Sequence, residues 1–122
     1  MSAPEIAALD IALARAGEDI VLRRMSGSTP IDCPCRAVVR GVTQDSLIGT
    51  IKATDLEVII SPTPILAQGW PNNEQPQAGA ADPRIPRIND FAVVKGKQRQ
   101  VKFADPIYVG GQWVRCNIVV AG

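Results

Sequence analysis

Short runs of alternating apolar residues, one helix-like stripe near the N-terminus and many turn-forming residues predict a mainly β, single-domain protein. One amphipathic α-helix opens it and a long irregular segment interrupts it. The chain has 122 residues, of which 46% are hydrophobic and 20% charged. That length suits one domain and lets folding bury roughly two-thirds of the unfolded surface, so a core can form without disulfides or a structural metal. Ten glycines and ten prolines among the 122 residues exceed the ~12% usual for the two together and argue against a helical bundle.

The helix is expected over residues 3–25. Ser2 and Glu5 have capping-box spacing, in which each side chain satisfies a backbone donor at the helix start, and Pro4 in the first turn loses no intrahelical bond. At about 100° per residue, Ile6, Leu9, Leu13, Ala16 and Ile20 fall on one face, with Gly17 beside them. The pattern stops near Met25, where Ser26 to Pro30 supplies breakers. Ile11, Leu22 and Met25 form a second, weaker stripe, to be covered either by a sheet curling around the helix or by a neighbouring subunit.

Strands are expected over 35–61 and 91–120. Cys35, Ala37, Val39 and Gly41 form a small apolar inner face, alternating with Arg36, Val38, Arg40 and Val42. Leu56, Val58 and Ile60 make a second strand, closed by Ser61-Pro62-Thr63-Pro64, and Leu47 to Lys52 suggests a short one between them. From Phe91 onwards the pattern is a meander. Gly96-Lys97 suits a type II′ turn, Arg99, Val101 and Phe103 share one face, and Gly110-Gly111 precedes a last strand with Val114, Cys116, Ile118 and Val120 on one side.

Residues 67–89 follow neither period. The stretch is rich in proline and carries three isolated bulky apolar residues, Trp70, Ile85 and Ile88. Such a composition is expected to stay mobile in the isolated domain, because it buries too little to offset ~1–2 kcal/mol of backbone ordering per residue. Long structureless connections inside compact domains are usually functional or disordered. Trp70, Ile85 and Ile88, flanked by Arg84 and Arg87, are therefore candidate anchors for a partner, joining Ile11, Leu22 and Met25 of the helix.

No catalytic, cofactor-binding or metal-ligating residue is assigned. The chain has no histidine, which excludes Ser-His and Cys-His engines and any imidazole-bound zinc. Three cysteines cannot supply a four-thiolate site, and Cys33-Pro34-Cys35 would be strained as a disulfide, so all three are read as thiols. Paired acids such as Glu18-Asp19 and Asp55-Glu57 read as charged surface, and the glycine pairs open no helix that could cradle phosphate. Thirteen basic and twelve acidic residues leave +1, too little for a domain that grips nucleic acid by charge alone. Arg84, Arg87, Lys95, Lys97, Arg99 and Lys102 do gather in sequence, as solvated surface or as a patch for an acidic protein, with too few aromatics for a nucleic-acid groove. Neither a signal peptide nor a membrane-spanning run is recognisable, and a cytoplasmic setting is expected.

The order of features carries a resemblance. A helix reading LDIALARAGEDI, the Ala-Val-Val-Arg-Gly-Val of residues 37–42, and Asp90 with Gly96 bracketing the first strand of a Gly-turn meander resemble the lambda-type phage head-tail joining proteins. The match covers most of the chain outside 67–89, and none of its motifs is a chemical one. It implies a small antiparallel β-barrel or sandwich with a flanking helix, a monomer when free that assembles as a ring below the portal. Its partners would be the portal or adaptor ring, tail proteins and further copies of itself, with DNA only passing through the lumen and no membrane. Localisation would be the host cytoplasm during assembly and then the virion neck. A tail terminator or tail-tube subunit, or a small barrel binding single-stranded nucleic acid, are the competing readings.

Overall fold

A computed structural model describes residues 4–41, 54–73 and 77–122. The elements are α1 (Pro4–Ala16), β1 (Glu18–Ser26), β2 (Thr29–Gly41), β3 (Leu56–Ile60), α2 (Thr63–Gln68), β4 (Phe91–Val94), β5 (Lys97–Val109) and β6 (Gln112–Val120). All strand pairs are antiparallel and close into a six-stranded barrel in the order β1-β2-β3-β6-β5-β4. The mainly β fold with an N-terminal helix is thus as expected, and of barrel and sandwich it is the barrel. The expected strand over Leu47–Lys52 and the Ser2 half of the capping box lie outside the described residues.

The helix is shorter than expected. It ends at Ala16, and residues 18–26 form β1. Gly17 makes the change of direction possible: a Cβ there would lie 2.4 Å from the Leu13 carbonyl oxygen and 2.9 Å from that of Ala37. Beyond it the buried positions alternate, with Ile20, Leu22 and Arg24 inward. Ser26 to Pro30, read as helix breakers, instead turn β1 into β2, with Gly27 at φ 62°. Arg36 of β2 reaches back and donates to the Leu13, Ala14 and Gly17 carbonyls at the end of α1. A guanidinium there satisfies orphan carbonyls and suits the negative end of the helix dipole.

A six-stranded barrel is narrow, and its inward residues are correspondingly small: Cys33, Cys35, Ala37, Val58, Ala92, Val94, Val101, Cys116 and Val120, with Ile20, Leu22, Ile60 and Ile118. The alternation expected of β2, β3 and β6 sets these faces except at the start of β6, where a register irregularity opposite Ile107 and Tyr108 puts Trp113, and not Val114, in the core cluster. Val39 packs against the core, whereas Gly41 is exposed. Outward Ile59 and Val119 are also buried, on the side where α1 lies against β2 and β6 through Ile6 and Leu13. β2 before Ala37 pairs with β1 alone, which is where a strand tolerates Pro30 and Pro34.

Two details of the meander differ from expectation. The β4–β5 turn falls on Lys95-Gly96, at φ 53° and 76°, one residue earlier than the Gly96-Lys97 pair. Two positive φ values make it type I′, whose twist matches the strands it joins. A bulge between Val101 and Phe103 then reverses the side-chain parity of β5, so Val101 is buried while Phe103 is 50% exposed.

Candidate interaction surface

The middle segment is anchored at both ends. α2 stops at Gly69, φ 64°, whose left-handed conformation lets Trp70 N–H bond the Ile65 carbonyl at 3.1 Å. Trp70 is 2% exposed, a member of the core, and its indole N–H donates to the Ile31 carbonyl of β2 at 2.9 Å. Nearby, Gln68 donates to the Pro34 carbonyl at 2.9 Å. These side chains cover the half of β2 that lacks a second strand partner. Trp70, expected as an anchor for a partner, is therefore corrected: it is committed to its own subunit. The composition argument missed this because one large aromatic with a satisfied N–H replaces many small contacts.

Arg24 ties the other end. Its guanidinium lies 4.7 Å from the Trp70 ring centroid and bonds both Asp90 carboxylate oxygens, at 2.8 and 2.7 Å, and the Pro83 and Ile85 carbonyls. Asp90 also accepts from Arg87 N–H at 3.0 Å, and its own carbonyl accepts from Val101 N–H at 2.9 Å. A buried cation facing a ring and a carboxylate is fully satisfied, the condition under which a buried pair persists.

The other sequence candidates divide between core and surface. Leu22 is core, contrary to its reading as a contact residue on a helix, because β1 turns it inward. Ile85 packs against the core, and Arg84 pairs with Asp82 at 2.9 Å, so neither is presented to a partner as expected. That pairing holds the Asp82 carboxyl below its ordinary value. Ile11, Met25 and Ile88 are exposed, and Arg87 keeps its side chain outward. The residues brought together are Arg87 and Ile88 with Phe103, which sequence reasoning missed. They line a shallow groove of about 510 Å³ with Pro86 and Ala104. The bulge that turns Phe103 outward leaves no mark in the sequence, so only the Arg87 and Ile88 side of the groove was legible there. Tyr108 and Val109, further along β5, are exposed as well, as is Leu66 of α2.

Half of the basic cluster, Arg84, Lys95 and Lys102, is ion-paired within the subunit. Lys95 bonds Glu18 at 2.8 Å, Lys102 bonds Asp55 at 2.9 Å, and Arg99 and Lys97 donate to the Ala121 and Gly122 carbonyls. The three thiols are buried, and loss of solvation pushes Cys33 up to about 11 and Cys35 and Cys116 up to about 12. At neutral pH they are protonated and apolar in behaviour. Among the described residues no three metal-ligating side chains gather, and no helix is long and apolar enough to cross a membrane. No protein-family model matches the chain, and no curated protein is similar to it in sequence.

Proposed function

We propose that this chain is a structural head-tail joining protein of a phage or prophage. It assembles with copies of itself as a ring below the portal, closes the filled head and offers a docking surface to the tail. The observation that carries the reading is the outward placement of large apolar side chains on a closed, internally satisfied barrel. Ile11, Ile88, Phe103 and Tyr108 are each at least half exposed, and Ile88 and Phe103 flank one groove, the kind of clustered apolar surface that a partner covers. The chemistry is recognition: shape and apolar contact on a rigid frame, with ion pairs spent inside the subunit.

The resemblance over the helix, residues 37–42 and the meander supplies the assembly named here. The test is complementation in a particle-producing strain. Replacing Ile88 and Phe103 by Asp leaves a folded protein but accumulates filled heads and free tails; joined particles at the wild-type level overturn the reading. Tails of irregular length in place of unjoined ones would assign the chain to the tail terminators.

A further inference from the structure

We propose that the outward face of α1 is a self-association surface, and that it docks on the Arg87–Ile88–Phe103 surface of a second copy, head to tail. The first observation is that α1 is apolar on both sides. Ile6 and Leu13 are buried against the barrel. At 100° per residue the opposite side carries Ala8, Ile11, Ala12 and Arg15, flanked by Ala7 and Ala14, all of them exposed, with Ile11 at 55%. A helix lying on a domain normally shows solvent a polar face, and one that is apolar all round is covered all round. Here only Glu5 and Arg15 bring charge to the uncovered side.

The second observation names what covers it. Phe103, at 50%, and Ile88, at 61%, flank the groove between β5 and the middle segment. Asp105 follows Phe103 by two residues on the same outward side of β5 and is also exposed. Two residues along a strand span ~6.6 Å, and Ile11 to Arg15, four residues along a helix, span ~6 Å. Ile11 can therefore sit on Phe103 while Arg15 meets Asp105.

The charges support this docking. Arg23, Arg24, Arg36, Arg40, Arg84, Lys95 and Lys102 each have a carboxylate partner within the subunit. Arg15, Arg87, Lys97, Arg99 and Arg115 have no ion pair among the described residues, and neither do Glu5, Asp10 and Asp105. The helix surface thus lacks a carboxylate for Arg15 and a cation for Glu5, and the groove surface supplies Asp105 and Arg87.

The topology makes the contact directional. α1 lies against β2 and β6, on either side of β3, whereas the groove lies on β5, the strand beyond β6. The two surfaces are different and face different ways, so one copy offers its helix to the next copy's groove. Repeated in one direction such a contact closes into a ring or propagates as a filament, and made reciprocally by two copies it closes a two-fold dimer.

The assignment deepens the proposed role and rests on it for the place where assembly occurs; the surface itself is testable with purified protein alone. Sedimentation velocity is run over a dilution series reaching millimolar protein. Wild type is expected to associate reversibly with rising concentration. Ile11→Lys, or Ala8→Arg as a second variant on an exposed helix position, and separately Ile88→Asp with Phe103→Asp, are each expected to stay monomeric with unchanged far-ultraviolet circular dichroism. Mixed, the helix variant and the groove variant retain one intact surface of each kind and are expected to form a dimer and stop there. Arg15→Asp weakens wild-type association several-fold, and adding Asp105→Arg restores it. A wild type that is monodisperse at every concentration overturns the proposal, as does a mixture that stays monomeric, and so does a groove variant that dimerises on its own, the outcome for helix-to-helix pairing. Tail joining in the producing strain reads the role separately, so either can fail while the other stands.

Discussion

Trp70 and Ile88 belong to one proline-rich stretch, stand equally isolated among polar neighbours, and end in opposite places: 2% and 61% exposed. Hydrophobicity does not separate them. Trp70 follows a short helix whose left-handed Gly69 aims it at the unpaired half of β2, where the Ile31 carbonyl takes its N–H and Arg24 covers its face. Ile88 follows Pro86, which is fully buried, and lies in the Arg87 to Asp90 turn beside Phe103. One region is consumed in closing the barrel's flank, and the other is left for something outside it. An irregular segment need not be all strap or all docking surface; each anchor is decided by whether a matching acceptor exists inside the fold.

The difference can be broken most sharply at Trp70. Trp70→Ala is expected to cost about 3–5 kcal/mol, read as a lower midpoint in guanidinium, where Ile88→Ala should stay within about 0.5 kcal/mol. Equal effects would erase the distinction. Asp90→Ala leaves Arg24 buried without its carboxylate and is expected to cost about 3–5 kcal/mol as well. It should also open the strap, read as faster proteolysis between residues 77 and 89. Trp70→Phe keeps most of the buried area but loses the indole N–H bond to the Ile31 carbonyl, for an expected loss of about 0.5–1.5 kcal/mol.

The thiols sharpen the contrast from the barrel side. Because burial raises their folded-state values to about 11 and 12, the stability they contribute is intact below the ordinary thiol value and is lost as pH rises from there through the folded values. Native protein at pH 8 should therefore resist Ellman's reagent until denaturant exposes the three cysteines. Rapid native labelling would mean that the barrel opens. The smallest effect lies on the surface of the strap. Asp82, held low by Arg84, adds stability above the ordinary carboxylate range that disappears as acid protonates it. Replacing it by Asn should lower neutral stability slightly and flatten the acid limb of the stability curve by the same small amount.

Sequence reading went furthest where both signals were local. The turn glycines, the inner rows of β2 and of β6 from Cys116 onwards, the absence of histidine and the near-zero charge needed no knowledge of distant residues. It misplaced residues 18–25 because Ile20 satisfies both a helical stripe running from Leu13 and Ala16 and an alternation with Leu22 and Arg24. An arginine in the inner row speaks against a strand until its partner is known, and that partner, Asp90, is 66 positions away. Phe103 was assigned to the wrong side because a bulge inserts one residue of parity without leaving a glycine or proline to mark it. Of the candidate surface residues, Ile11, Met25, Arg87 and Ile88 were legible, and Leu22, Trp70, Arg84 and Ile85 were claimed by contacts that local pattern does not contain.

By itself, then, the chain determined its class, its turns and the small side chains that a narrow barrel needs, since these follow from the two-residue period and from backbone conformations available to few residue types. Which of the isolated apolar side chains outside the regular strands is buried, Trp70 or Ile88, was decided only by tertiary contacts. Closure alone brings a carbonyl to Trp70 and a carboxylate to Arg24, and burial is favourable only where such a partner waits.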